Sequence, residues 1–319
     1  MLTRAVLCAA CALAVTATPA HATFPGHNGK IVFTHYEDPE DESTTDIYTV
    51  SPDGRHLRNL TPDSPTSDDF ASWSPDGRMI AFWSTRTVPS NPFVPALGRS
   101  DQEIFVMNAD GSGLRQVTYN SFDDGGPDWS PSGDRLVLHR WLDNDSQADL
   151  FTVRLNGTGE RRLTHTVGVV DNYAVWSPDG RELVFNRADN EHEYDLYTIR
   201  PDGSHQRALL ETPANESSAD WSPDGQRLAF TTDAAMIGGD WHIYVMRRNG
   251  SSPPTRLTTT TAYNPVWSPD GRKLVFNYDQ LFTMRPDGSR QRAVLPVFFD
   301  GHHPDWQTVP KHERAEDDD

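Results

Sequence analysis

The chain has 319 residues, with 46 acidic against 28 basic side chains and a formal net charge of −18. A surface this acidic repels nucleic acid and anionic lipid, so neither is expected as a main partner; it suits divalent cations or basic partners and helps keep a protein soluble. Only two cysteines occur, Cys8 and Cys11.

The chain opens on a targeting pattern. Arg4 gives a positive start, Ala5 to Val15 is an apolar run, and Ala20-His21-Ala22 is an A-x-A cleavage signal. Residues 1–22 are therefore read as a signal peptide and the mature chain as starting at Thr23. The apolar run is too short to span a bilayer, so no membrane span is expected. Both cysteines lie inside this segment, so the exported chain must hold together without disulfides. Losing Arg4 takes the charge from −18 to −19. The expected location is secreted, periplasmic or at the cell envelope.

From Phe24 onward one phrase recurs. It reads SWSPDGRMIAF from Ser72, DWSPSGDRLVL from Asp128, VWSPDGRELVF from Val175, DWSPDGQRLAF from Asp220 and VWSPDGRKLVF from Val266; FPGHNGKIVF from Phe24 copies it with Phe in the Trp place. In Ser-Pro-Asp-Gly the proline presets φ for a tight turn, and Gly supplies a left-handed position at no steric cost. Trp before and an apolar run after favour strands, so each phrase predicts a hairpin. A second phrase follows each, as in DIYTVSPDGRHLRNLT from Asp46 or DLYTIRPDGSHQRALL from Asp195, with an Asp-Gly or Asn-Gly turn between two further strands. There are six such second phrases.

The anchors Trp73, Trp129, Trp176, Trp221, Trp267 and Trp306 are spaced 56, 47, 45, 46 and 39 residues apart. Four strands at such a period describe a propeller blade. The fold class expected is all-β: a six-bladed propeller of four-stranded antiparallel blades over residues 23–309. The strand at Trp306 is expected to pair with Lys30 to Phe33 and close the ring, which removes exposed sheet edges. Residues 310–319 form a charged tail, expected to be disordered. The repeated Trp reads as packing: burying one ring removes about 150–250 Å² from water, roughly 4–6 kcal/mol gross.

The paired phrases W-S-P-D-G-x-x-L-x-F and I-Y-x-M-x-x-D-G-x-x-x-x-x-L-T resemble the repeats of TolB-type propellers, the six-bladed periplasmic family of the bacterial Tol-Pal system. The resemblance covers nearly all of Phe24 to Trp306. It implies a six-bladed propeller, and such a ring with variable loops is expected to be a rigid, monomeric binding module. The same repeat is found in propellers attached to serine peptidases and in pectin-fragment lyases.

Binding in such a ring belongs to the variable loops. One set is acidic: His35 to Asp46, Asp143 to Asp149 and Asp189 to Asp195. There Asp143 and Asp145 alternate like a calcium loop without its sharp-turn Gly, so Ca²⁺ or another divalent cation is a weak cofactor candidate. Arg55, Arg78, Arg161, Arg181, Arg272 and Arg292 concentrate on the turns of the other face. A second loop set places Asp68, Asp69, Asp124, Asp171 and Glu216 just before the Trp strands, with His302 and His303 in the last repeat. If that strand is innermost, these residues ring a channel mouth. Two carboxylates 4 Å apart repel by about 4 kcal/mol at an effective dielectric of 20, so such a ring needs cations; Arg140 and Arg187 end strands on the same side and can supply them. His35 and His139 join the histidine pair as metal-ligand candidates, subject to convergence. Trp83, Trp141 and Trp241 fall outside the repeat position, in or beside the acidic loops, where they can anchor a partner or pack inside inserts.

No G-x-S-x-G elbow, H-E-x-x-H pair or phosphate loop is present, and few residues follow Trp306, so peptidase chemistry is not expected. The reading is a non-catalytic module that binds a protein or envelope component through its acidic loop face. The alternative is a metal-assisted oligosaccharide lyase or glycan-binding propeller, whose ligands would be scattered over blades and leave no motif.

Overall fold

A computed structural model describes residues 26–38, 41–62, 64, 66–86, 102–143, 147–189, 194–234, 240–296 and 299–310. The signal-peptide segment, residues 311–319 of the charged tail and Asp145 lie outside the described residues. Twenty-four strands and no helix occur among them. No helix is therefore long and apolar enough to cross a membrane.

The strands run in units. The first holds β1 (His27–Asp38), β2 (Asp41–Val50) and β3 (Arg58–Asn59). The second holds β4 (Asp68–Trp73), β5 (Met79–Ser84), β6 (Glu103–Asn108) and β7 (Arg115–Gln116). The third holds β8 (Asp124–Trp129), β9 (Arg135–Asp143), β10 (Gln147–Arg154) and β11 (Arg161–Arg162). The fourth holds β12 (Val169–Trp176), β13 (Leu183–Asp189), β14 (Asp195–Ile199) and β15 (Arg207–Leu210). The fifth holds β16 (Glu216–Trp221), β17 (Arg227–Thr232), β18 (His242–Arg247) and β19 (Thr255–Arg256). The sixth holds β20 (Tyr263–Trp267), β21 (Leu274–Asn277), β22 (Leu281–Met284) and β23 (Arg292–Ala293), and β24 (His302–Val309) ends the series.

Within each unit the strands pair antiparallel in chain order, as consecutive hairpins dictate. β24 completes the first unit by pairing with β1, with Ile31 opposite Trp306 and Val32 opposite Asp305. The third and fourth units merge into one eight-stranded sheet through a single parallel pair, Ala148 with Val170. The leading strands β24, β4, β8, β12, β16 and β20 contact one another in succession, and β20 contacts β24.

The Ser-Pro-Asp-Gly turns form as their chemistry requires. At the first, Gly77 N–H donates to Ser74 C=O (2.8 Å), while Asp76 Oδ1 accepts from Ser74 Oγ (2.6 Å) and Arg78 N–H (3.1 Å). Gly77 has φ +68°, and a Cβ there would lie 2.2 Å from the Thr308 carbonyl, so only glycine fits. The "L-T" ending of the second phrase is a staple. Thr61, Thr118 and Thr164 each accept the N–H of Ile47, Ile104 or Leu150 and donate to Asp46, Glu103 or Asp149.

Six apolar clusters fill the spaces between neighbouring units. Trp73 packs with Val32 and Ile47 of the first unit, and Trp306 with Val275 and Leu281 of the sixth. Five of the six anchors, Trp73, Trp129, Trp221, Trp267 and Trp306, are among the largest fully buried side chains, and Trp176 is 5% exposed. The stabilising surface therefore lies between sheets, as disulfide-free stability needs.

Candidate functional site

Every leading strand contains the same irregularity. Its register with the second strand slips between, for example, Asp69 and Ser72, Gly125 and Asp128, or Asn172 and Val175. At the slip one residue takes a left-handed backbone: Phe70 (φ 52°), Gly126 (54°), Tyr173 (48°), Ser218 (52°), Asn264 (51°) and His303 (46°). Five of these six are not glycine, and a left-handed L-residue costs about 1–2 kcal/mol.

These six residues converge on one cavity of about 250 Å³, to which all six leading strands contribute. One arc is aromatic. The Phe70 ring stacks on His303 (3.6 Å between centroids) and on Tyr173 (4.9 Å), which meets His139 edge-on (5.0 Å). Gly126 lies between them in the sequence of strands; a Cβ there would come within 3.0 Å of both Tyr173 and His139. The other arc is polar, with Ser218 Oγ donating to Asn264 Oδ1 at 2.8 Å.

Three carboxylates, Asp128, Asp220 and Asp305, also line the cavity. Each takes the N–H of the Trp anchor in the following unit: Trp176 to Asp128 (2.8 Å), Trp267 to Asp220 (2.7 Å) and Trp73 to Asp305 (2.6 Å). They latch units in pairs. Burial pushes Asp128 up to about 8 and Asp305 up to about 6, and Asp220 well above the carboxylate range, with mutual repulsion adding for Asp128 and Asp220.

The expected ring of carboxylates sits elsewhere. Asp68, Asp124, Asp171 and Glu216 are 0–1% exposed and do not line this cavity. The left-handed residue re-phases the strand, so a carboxylate before it turns into the blade while the residue after it faces the centre. Asp124 accepts Arg140 Nε (2.6 Å) and Nη2 (2.9 Å), and Arg140 also holds Glu160 (2.8 Å). Asp171 accepts Arg187 Nε and Nη2 at 2.7 Å each, and Asp68 pairs with Arg86. Burial raises Asp124 and Asp171 despite their arginines. Reversing charge at Asp124 or Asp171 therefore breaks a buried ion pair and destabilises the fold as well as changing the surface.

Asp69 does not line the cavity but sits behind it, against His303, which does. It accepts from Thr34 Oγ1 (2.5 Å) and pairs with His303 Nδ1 (2.9 Å); burial would raise its pKa, but the imidazole and the donors around it hold it below the usual value. His302 and His35 instead share Asp300, whose pKa they pull far down against its burial. His139 belongs to another unit; burial alone lowers it to about 4, and its Nδ1 has no hydrogen-bond partner among the described residues. Among the described residues no three His, Cys, Asp or Glu side chains converge to hold a metal ion. Trp83, Trp141 and Trp241 are half-buried in three different units: Trp83 packs on the apolar cluster around Trp129, Trp141 meets His139 edge-on (6.3 Å), and Trp241 lies 6.4 Å from Tyr263. Asp143 ends β9.

The central residues were visible as a column three before each Trp, which reads Phe, Gly, Tyr, Ser, Asn, His inside an otherwise steady phrase. The Asp latches are the residues just before Trp129, Trp221 and Trp306.

Residues 174–306 match the family of TolB beta propeller domains. The Tol-Pal system protein TolB of Rhizorhabdus wittichii is 37% identical over 73 residues, 23% of this chain and 16% of that protein. The chain spans less than half the length of the curated relatives it matches. Among solved structures, TolB from Acinetobacter baumannii is similar with a TM-score of 0.70 at 16% identity, over 90% of this chain and 68% of that one. Oligogalacturonate lyase from Vibrio parahaemolyticus has a TM-score of 0.56 at 13% identity, over 86% and 78%. At these identities the structural likeness is one of fold. Sequence repeat, strand pairing and likeness agree: the chain is a TolB-like β-propeller.

Proposed function

We propose that this chain is an exported, monomeric binding module, a closed ring of six blades that captures a protein or cell-envelope component at the loop face around its central cavity. The observation that carries this is the set of six left-handed residues. Backbone strain is kept at the same place in every unit while the side chain changes from aromatic to polar. That is a rigid frame with a varied surface, which suits recognition. Successive contacts among the leading strands and the β24–β1 pair support ring closure. The TolB relatives support an envelope location and a protein partner.

Capture from envelope and culture fractions, with calcium and then with chelator, tests the reading. Wild type should retain one salt-sensitive protein partner, and Phe70→Ala with Tyr173→Ala should lose it while melting cooperatively. Equal capture by the double variant would remove the cavity rim from the binding face. Retention on polysaccharide, or a response to chelator without a protein partner, would favour the glycan-binding or lyase-like reading, which the stacked rings of Phe70, His303 and Tyr173 make the second choice.

A further inference from the structure

Three units share one internal arrangement. In the third, Arg140 lies in register with Asp124, and its guanidinium sits 4.6 Å from the Phe151 ring. In the fourth, Arg187 lies in register with Asp171, 4.9 Å from Tyr197 and 5.6 Å from Phe185. In the second, Arg86 reaches Asp68 from just beyond β5 and lies 5.6 Å from both Phe82 and Phe105. Each time a buried carboxylate, a guanidinium and aromatic rings of the same sheet meet.

The fifth unit has the carboxylate and the rings, but among the described residues no guanidinium pairs with the carboxylate; Arg256, the register partner of Tyr244, bonds His242 and the Thr258 carbonyl instead. Glu216 is opposite Thr232. Phe230 and Tyr244 are register partners, as Phe185 and Tyr197 are in the fourth unit. Their centroids are 6.1 Å apart, against 5.9 Å there. Glu216 is 1% exposed; Thr212 Oγ1 donates to its Oε1 at 2.5 Å, its Oε2 takes no N–H among the described residues, and the Asp195 carboxyl lies within hydrogen-bonding reach of it. A cavity of about 360 Å³ opens here, lined by Glu216, Thr232, Phe230, Tyr244, Leu210 and Pro213 among others.

We propose that this cavity is a guanidinium site, which takes an arginine side chain or a small guanidinium compound between Glu216 and the Phe230 and Tyr244 rings, as Arg187 lies between Asp171 and its rings. A buried carboxylate oxygen without a donor is costly, and a guanidinium supplies donors in a planar fork together with a cation for the ring faces. An ammonium offers neither the fork nor the stacking plane, so lysine should fit worse. Burial, with Asp195 and Asp233 nearby, pushes Glu216 up to about 7, so the site gains charge and affinity between pH 6 and pH 8.

Whether the guanidinium arrives on a protein rests on the reading of this loop face as a binding face; the site itself does not, because the test needs no partner. Titration calorimetry at pH 8 would use acetyl-Gly-Arg-Gly-amide, its lysine analogue and agmatine against wild type, Glu216→Gln and Thr232→Arg. Wild type should bind the arginine peptide, with the lysine analogue weaker by about tenfold or more, and Glu216→Gln should lose about tenfold or more. Thr232→Arg places a guanidinium in the register of Arg140 and Arg187, so it should abolish binding and raise Tm. Should Thr232→Arg misfold, Glu216→Gln decides alone. An arginine peptide about tenfold tighter than agmatine would support a protein-borne arginine; equal affinities would support a small guanidinium ligand. No binding to wild type, equal binding of the lysine analogue, or binding undiminished in Glu216→Gln would overturn the site.

Discussion

Replacing Arg140 with Met tests the reasoning about the blade interior most directly. Arg140 makes two bonds to Asp124, whose side chain is fully buried, two to the half-exposed Glu160, and lies over Phe151. Methionine conserves much of the volume, so the loss is electrostatic: Asp124 stays buried with the neutral donors Asn120 Nδ2 (2.8 Å) and Thr118 in place of a cation. Breaking such a pair from one side costs about 3–5 kcal/mol, and the lost ring contact about 1 more. At about 2–4 °C per kcal/mol for a domain of this size, Tm should fall by roughly 8–24 °C at pH 8. Asp124→Asn should cost about half as much, since Glu160 still holds Arg140. The double variant should fall short of the sum by more than about 1 kcal/mol, the coupling of residues in one network. The pH dependence has a defined sign. Burial already raises the Asp124 pKa in the presence of Arg140, and removing the cation raises it further. A carboxyl with a raised folded pKa favours folding below its unfolded value and loses that contribution as pH rises through the folded one. The Arg140→Met deficit should therefore shrink from pH 8 to pH 5 in calorimetric melts. A Tm within about 2 °C of wild type at both pH values would show that Asp124 does not depend on Arg140.

Other outcomes follow from the same contacts. Asp128, Glu103 and Glu216 have folded pKa values raised to about 8, 8 and 7, so wild type should melt higher at pH 6.5 than at pH 8.5; Asp128→Asn, which keeps an acceptor for Trp176 N–H, should flatten that slope, and a lower Tm at pH 6.5 would contradict the assignment. Gly126→Ala places a Cβ at positive φ against His139 and Tyr173 and should cost about 1–2 kcal/mol in urea melts; a neutral outcome would mean the rim relaxes freely. Trp129 Nε1 donates to the Ser72 carbonyl (3.1 Å), whereas Trp221 Nε1 has no acceptor among the described residues, so Trp129→Phe should lose about 1 kcal/mol more than Trp221→Phe; equal losses would remove that bond from the account.

The propeller was legible because its instructions are local. Pro75-Asp76-Gly77 and its copies dictate turns from their own φ preferences, and the Trp spacing sets the unit, so a period and a strand count could be read without any contact. The pairing of Ile31 with Trp306 was also foreseeable, because an unpaired edge at both ends has one economical remedy. The site was legible only in part. Asp124 and Asp171 lie against Arg140 and Arg187, yet their side chains turn into the blades. Simple strand alternation gives no hint that Phe70, Tyr173, Ser218, Asn264 and His303 adopt a left-handed backbone, because none of them demands it; the surrounding pairings impose it.

The sequence by itself determined the all-β class, the repeat, the turns and the packing role of the Trp anchors, since each depends on residues within one hairpin. Tertiary structure alone decided which carboxylates are neutralised and which face the centre. It placed Asp128, Asp220 and Asp305 around the cavity, gave arginines to Asp68, Asp124 and Asp171, and left Glu216 facing Thr232. Those outcomes depend on strand register and on distances between units, and a one-residue slip at the left-handed position exchanges the face on which every preceding side chain lies.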